Sequence, residues 1–403
     1  MKWRDVMKLI HLSDLHIGKK VNEFSMLEDQ QYIFEKMIQI IDKQKVECVL
    51  IAGDIYDKFV PPKYAIQLFD DFLTKIAKRN IPIFIISGNH DSAERITFGS
   101  RLMRQSKVYF SPVFEGDIKP ILLHDEYGEI AVYMLPFIKP AIVKNIYEYA
   151  DIESYNDAVK IVIERMDIDK NRRNILIAHQ FVTGAETSES EDISVGGIDN
   201  VDACIFDDFD YVALGHIHKP QHIYRETVRY CGTPLKYSFS EAKHKKSVTI
   251  VTLKEKQDIV IDTIELVPKR DMCEIKGYYQ ELTALSYYQN INTQNYMHII
   301  LKDEQDIVDA MAKLRSIYPN IMRLDYDNKR TQNNQMIQTT QNIENKTPLQ
   351  LLKQFYEIQN NDVMNEQQAM FCSKIMEEVW KRSRKTTQPA PSEIVVGTED
   401  AGA

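Results

Sequence analysis

Over roughly the first two thirds of the chain, short apolar runs alternate with amphipathic stretches. KLIHL (8–12), CVLIAG (48–53), IPIFIIS (81–87) and NILIAH (174–179) each end in a polar or glycine-containing loop. Continuous apolar strands of this kind suit a sheet buried on both faces. Between the first three, the spacing predicts helices over 27–43 and 63–79, with Pro62 near the start of the second, where a missing N–H costs nothing. YVALGH (211–216), TVRYCG (227–232), SVTIVTL (247–253) and DIVIDTIEL (258–266) then follow in quick succession and read as antiparallel strands closing the same layered domain. The pattern is that of an α/β sandwich with a mixed sheet.

The pattern changes after Gly277, beyond which no glycine occurs until Gly397. YMHIILK (296–302), a helical stretch near 305–317 and IMRLDYD (321–327) suggest a small β-α-β domain. Residues 331–345 hold eight Asn or Gln in fifteen positions and read as a polar, poorly ordered linker. Thr347-Pro348 then starts a helix, with Thr as N-cap and Pro at the first helical position. A second helix begins near Asn365, where Phe371, Ile375 and Val379 recur beside Trp380. Two helices after a linker have too little core of their own, so they pack back on the body or dock on a partner. The tail from about 386 reads as disordered.

Chemistry concentrates where the runs end. Five polar loops carry Asp14 and His16, Asp54 and Asp57, Asn89 to Asp91, His179, and His216 with His218. Alternate residues of an extended segment point the same way, so Asp14 and His16 converge. Loops beyond strand ends are where an open α/β sheet builds its sites. Glycine precedes three of the motifs, at Gly53, Gly88 and Gly215, and lets backbone pack tightly beside a ligand. Each motif alone is weak; the combination in this order is strong. Two Asp, one Asn and several His suit Mn²⁺, Fe²⁺ or Zn²⁺ and lack the thiolates of a structural zinc site. Seven ligands exceed the need of one ion, so a shared carboxylate, most naturally Asp54, must bridge two ions.

The series D-x-H, G-D-x-x-D, G-N-H-D, H and G-H-x-H over residues 8–218 resembles the calcineurin-like metallophosphoesterases. HLSDLHIGK, GDIYD, SGNHD and LGHIHKP make it similar, within them, to the SbcD family of bacterial nucleases. The resemblance implies a layered α/β/β/α sandwich over 7–268 as nuclease domain and a small α+β capping domain over 269–330. It also implies a helical partner-binding module over 347–384, set between the polar linker read over 331–346 and the tail over 385–403. It implies one ion held by Asp14, His16, Asp54 and His218, and another by Asp54, Asn89, His179 and His216, with Mn²⁺ as the usual metal. His90 would stand beyond the metals near the scissile phosphate, oriented by Asp91. It would donate a proton to the leaving 3′-oxygen or hold the phosphate. Archaeal relatives carry histidine where Asp57 stands, and bacterial ones commonly Asp.

The implied activity is 3′–5′ exonuclease action on double-stranded DNA ends and endonuclease action on hairpins and single strands. The family works with an SbcC-type coiled-coil ATPase, bound through the C-terminal helices, in DNA repair, recombination and replication, and dimerises through its nuclease domains. Three alternatives remain open: an SbcD-like exonuclease with another partner, a phosphatase or small-nucleotide phosphodiesterase, and a non-catalytic scaffold tethering DNA ends.

Composition narrows this little further. A net charge of −9 excludes a histone-like binder but not an enzyme whose metals supply local positive charge. No run approaches a membrane span, and no secretory h-region opens the chain. The first strand-like run begins at Met7, a candidate start. Cys48, Cys204, Cys231, Cys273 and Cys372 form no CxxC pair and read as free thiols in a reducing cytoplasm. His11 reads as a sheet histidine, and His124, His222, His244 and His298 match no motif. Lys243-His244-Lys245-Lys246, with Lys19, Lys20 and Lys58, either meets phosphates or is a solvated turn. Lys381–Lys385 reads as a solvated helix end, and Phe137 and Tyr237 either stack bases or pack in the core.

Overall fold

The computed structural model describes residues 6–191, 199–329, 331, 347–360 and 364–385. The linker expected over 331–346 and the tail over 385–403 lie outside the described residues except for Thr331 and Lys385. One compact unit runs through Ile275 and takes in Tyr288–Ile299 and Met311–Arg323; the other comprises Lys276–Tyr287, Ile300–Ala310 and the described residues from Leu324 on.

Twelve strands, numbered in chain order, build the two main sheets of the first unit. They are β1 (Met7–Leu12), β2 (Cys48–Ala52), β3 (Ile83–Ile86), β4 (Val108–Phe110), β5 (Ile121–Asp125) and β6 (Gly128–Leu135). There follow β7 (Arg173–His179), β8 (Tyr211–Gly215), β9 (Gln221–Ile223), β10 (Arg225–Tyr230), β11 (Ser247–Leu253) and β12 (Ile259–Glu265). They form two six-stranded sheets, ordered β12-β11-β1-β2-β3-β4 and β9-β10-β8-β7-β6-β5. In the first, β1 to β4 are parallel and β11 and β12 antiparallel. In the second, β6, β7, β8 and β10 are parallel and the two edge strands antiparallel.

Strand alternation explains the continuous apolar runs. Met7, Leu9, Cys48, Leu50, Phe84 and Ile86 of the first sheet share one core with Ile130, Val132, Ile175, Ile177, Tyr211 and Ala213 of the second. The alternate residues face outward under helices. Ile10, Leu12, Val49 and Ile51 pack with Ile33, Phe34, Phe69 and Phe72, from α1 (Leu27–Gln44) and α2 (Lys63–Ala77). Tyr133, Leu176 and Val212 pack with Val159 and Val162, from α3 (Tyr155–Glu164). Both faces of both sheets are therefore buried, the expected α/β/β/α layering.

The expected all-antiparallel closure is corrected. TVRYCG supplies β10, which runs parallel to β8, because the short β9 reverses the chain between them. β11 and β12 are antiparallel but complete the other sheet. Further on, Met272–Gly277, Tyr296–Leu301 and Ile321–Tyr326 form a three-stranded sheet in that order. Its first strand has no counterpart among the elements expected from the sequence. The expected helix shortens to Ala310–Arg315. Two longer helices follow, α4 (Pro348–Asn360) and α5 (Glu366–Lys385). Thr347 Oγ1 accepts from Gln350 N at 3.3 Å, the anticipated N-cap, and Asn365 Oδ1 caps the second helix by accepting from Gln368 N at 2.9 Å. No helix among the described residues is long and apolar enough to cross a membrane.

Candidate metal centre

All five chemical loops leave the C-terminal ends of parallel strands: β1, β2 and β3 in one sheet, β7 and β8 in the other. The sheets stack with these ends together, so loops distant in sequence meet. The three glycines make the approach possible. A Cβ on Gly53 would lie 2.5 Å from His179 Nδ1; one on Gly88 would lie 2.1 Å from Asp54 Oδ1; one on Gly215 would lie 1.9 Å from the Ala52 carbonyl oxygen. The loops also bend sharply. Asp14 (φ 50°), His16 (φ 43°), Asp54 (φ 50°) and His216 (φ 104°) hold left-handed backbone that non-glycine residues seldom adopt, so Asp14 and His16 converge through a bent loop and not through the extended segment expected. Strain concentrated on four candidate ligands is the kind found at functional sites.

Each aspartate is anchored through one oxygen and offers the other. Asp14 Oδ1 accepts the His216 N–H at 2.9 Å, and its Oδ2 is buried without a hydrogen-bond partner. Asp54 Oδ1 accepts the His90 N–H at 2.9 Å, while Oδ2 stands 3.6 Å from His16 Nε2 and 3.4 Å from His179 Nε2. Around them, His16 Nε2 lies 3.1 Å from His218 Nε2. Asn89 Oδ1 lies 3.0 Å from both His179 Nε2 and His216 Nδ1. Ligand-capable atoms group as Asp14, His16 and His218; as Asp14, Asp54 and His179; and as His16, Asp54 and His90. All seven expected ligands thus converge, with Asp54 between the His16 and His179 sides, and His90 beside them.

Electrostatics fit a cation. Burial raises the Asp14 carboxyl to about 6. Burial lowers the His216 ring to about 3, aided by His179, and takes His16 well below its ordinary value. Neutral imidazoles are the form that ligates metal. Burial alone would lower His179 as well, but the Asp54 carboxylate outweighs it and raises the ring to about 9. A buried carboxylate cluster thus draws positive charge, which a divalent ion supplies. The residues fit two such ions: an orphaned carboxylate oxygen, imidazole nitrogens facing one another and an all-N/O donor set.

Asp91 is held otherwise than a side chain aimed at a neighbouring ring. Its Oδ2 accepts the Ile55 and Gly88 N–H groups, and its Oδ1 that of Tyr56, each at 3.0 Å. It ties the second loop to the third and so places His90 through the backbone. Half-buried His90 has Nδ1 3.2 Å from the Asp57 carbonyl oxygen, and the Asp57 carboxylate pairs with Lys19 at 2.8 Å.

The remaining candidates divide. His11 is fully buried, with Nδ1 3.0 Å from the Tyr211 hydroxyl, and burial lowers its ring to about 3. Tyr237 is core, its hydroxyl donating to the Leu15 carbonyl at 2.7 Å. Phe137 stacks on His216 at 6.4 Å and flanks the site. Lys246 is corrected as a phosphate contact: it is buried against Glu241, where the ion pair compensates its lost solvation. Burial would raise the Glu241 carboxyl, yet Lys246 brings it down to about 2. Sequence reasoning misses Ser190, Glu191 and Glu241 around His218. No local pattern marks them, since only the fold brings them there.

Residues 7–220 match the calcineurin-like phosphoesterase family, and residues 268–360 match the family described as type 5 capsule protein repressor C-terminal domain. A relative from Staphylococcus epidermidis (strain ATCC 12228 / FDA PCI 1200), named as a subunit of the nuclease SbcCD, is 36% identical over 322 residues, spanning 79% of this chain and 85% of the relative. Among solved structures, a dimetal phosphatase from Danio rerio aligns with TM-score 0.38 and 11% identity over 65% of this chain and 97% of that one. The E. coli phosphoesterase Yfce aligns with TM-score 0.26 and 12% identity over 65% of this chain and 100% of that one.

Proposed function

The chain belongs to the calcineurin-like phosphoesterases, metal-dependent hydrolases of phosphate esters, and on that premise we propose that it is a two-metal DNA nuclease. The observation carrying the reading is the convergence on Asp54 Oδ2 of His16 from one sheet and His179 from the other, at 3.6 and 3.4 Å. Asp14, His16, Asp54 and His218 would hold one ion, and Asp54, Asn89, His179 and His216 the other, with Mn²⁺ suiting this N/O set. When bound, the cations lower the pKa of water toward neutrality and neutralise phosphate oxygens.

The protein's own groups do the rest. Asp54 and Asp14, fixed through Oδ1, keep Oδ2 in place without reorganisation. With His90 Nδ1–H donated to the Asp57 carbonyl, Nε2 is the nitrogen that gains and loses the proton. Protonated, it gives that proton to the departing 3′-oxygen.

The fuller proposal is 3′–5′ exonuclease action on duplex ends and endonuclease action on hairpins and single strands, beside an SbcC-type ATPase. Residues 7–268 form the nuclease domain, 269–330 the cap and 347–384 the docking module. Exposed Phe355, Met370, Phe371 and Ile375 on the two C-terminal helices support docking on a coiled coil. Pairing of two nuclease domains is supported by exposed Phe59, Ile66, Phe98 and Leu102, the first three lining an apolar cavity of about 540 Å³. Cys204, Cys231, Cys273 and Cys372 carry free thiols, which supports a cytoplasmic setting. The test is cleavage of end-labelled duplex and hairpin DNA by the purified chain with Mn²⁺, with a chelator control and p-nitrophenyl phosphate in parallel. Metal-dependent DNA cleavage is expected. Hydrolysis of the small ester with DNA left intact would replace the nuclease by a phosphatase.

A further inference from the structure

One buried ion pair outside the ligand loops reaches the metal site. Glu241 and Lys246 are almost wholly shielded from water and bonded to each other. Taking two charges out of water is costly, so what the pair holds in place is informative. It holds His218. Lys246 Nζ donates to the His218 carbonyl at 2.8 Å. Glu191 Oε1 accepts the His218 N–H at 2.8 Å. Ser190 Oγ donates its proton to Glu241 Oε1 at 2.5 Å and lies 2.6 Å from His218 Nδ1. A serine has one hydroxyl proton. With that proton directed to Glu241, the Ser190 oxygen accepts, so His218 Nδ1 carries the hydrogen. The lone pair is then on Nε2, which faces His16 Nε2 at 3.1 Å. His179 is held differently, its Nδ1 donating to the Ala52 carbonyl at 2.8 Å.

We propose that Ser190, Glu241 and Lys246 are positioning residues that fix the tautomer and orientation of His218 and thereby set the affinity of one of the two metal positions. That position is the one formed by Asp14, His16 and His218. The inference rests on the reading of His218 as a metal ligand. A hydrogen-bonded carboxylate behind a ligating histidine raises the basicity of the ring and typically governs affinity by about 10- to 100-fold.

The test uses the full chain and Mn²⁺ alone, titrated calorimetrically and followed by electron paramagnetic resonance. Wild type is expected to bind two ions and show an exchange-coupled signal. Ser190→Ala, at a half-buried position that tolerates a smaller side chain, is expected to weaken one site about 10- to 100-fold and leave the other within twofold. The coupled signal then gives way to that of a mononuclear ion, and Ser190→Thr restores it. Glu241→Gln is expected to show the same selective loss. Both sites unchanged in Ser190→Ala and Glu241→Gln, while His218→Ala loses one, would overturn the positioning role. So would an equal loss at both sites. Two unchanged sites in His218→Ala would instead overturn the ligand reading beneath it.

Discussion

Gly88→Ala tests the close packing under the site most severely. Gly88 has no left-handed φ, so alanine meets no backbone objection there. The whole effect comes from space. The new Cβ would lie 2.1 Å from Asp54 Oδ1, 2.5 Å from Asp54 N and 2.7 Å from Asp54 Cγ. Restoring even a 3.0 Å contact to Oδ1 needs a shift of 3.0 − 2.1 = 0.9 Å, of a carboxylate anchored on the His90 N–H. Asp54 is the proposed bridge, so both ions feel that shift. Misplacement by about 1 Å costs roughly 100-fold in rate, and overpacking a tight site costs about 1–3 kcal/mol of stability. We expect kcat/KM on bis(p-nitrophenyl) phosphate with Mn²⁺ to fall at least about 100-fold. Thermal melting with and without Mn²⁺ separates the site from the fold. A binding site at 100 times its Kd stabilises by about 2.7 kcal/mol, and the variant should lose most of that upshift. A folded variant with activity within threefold of wild type and an intact Mn²⁺ upshift would show that Gly88 does not set the position of Asp54.

Three further outcomes are expected. His90→Ala should keep both metal sites in Mn²⁺ titration and lose roughly 100- to 10,000-fold in kcat; a loss confined to KM would reduce His90 to phosphate binding. Asp125 accepts the Met7 N–H at 3.0 Å and Arg173 Nη1 at 2.9 Å, all buried, so Asp125→Ala removes the countercharge of Arg173 and leaves its guanidinium only the Lys254 and Gly128 carbonyls. Urea unfolding should show a loss of about 3–5 kcal/mol, and less than 1 kcal/mol would contradict the buried pairing. His11 has its folded pKa depressed to about 3 from 6.5, chiefly by burial and then by Arg229. Between those values the unfolded chain binds a proton that the folded chain refuses. Stability is therefore whole above about pH 6.5 and falls as pH drops toward 3, by about 1.4 kcal/mol per unit. His11→Asn should flatten that part of the melting curve against pH in chelated protein; an unchanged slope would deny the shift.

The site is legible in the sequence because its chemistry is punctuated. Asp14, His16, Asp54, Asn89, His179, His216 and His218 each stand within four residues of the end of an apolar run, and parallel strands put those ends on one side. The helices α1 and α2 are legible for the same reason, from 3.6-residue spacing beside clear strand ends. Other features need the fold. The direction of β10 depends on β9, three residues long and without a periodic signature. β6, GEIAVYML, opens polar and carries no terminal motif, so nothing in the pattern singles it out. The Ser190–Glu241–Lys246 chain joins segments 51 residues apart, and its members look like ordinary polar loop residues. The spacing of the glycines suggests room for a ligand. In the fold they make room for one another's loops, Gly53 against Gly88 and His179, and Gly215 against Ala52.

Anomalous diffraction at the manganese edge, from crystals grown with Mn²⁺, shows whether two ions share Asp54. Two peaks are expected flanking the Asp54 carboxylate, one against Asp14, His16 and His218 and the other against Asn89, His179 and His216. A single peak, or two peaks that do not share Asp54, would contradict the two-metal reading.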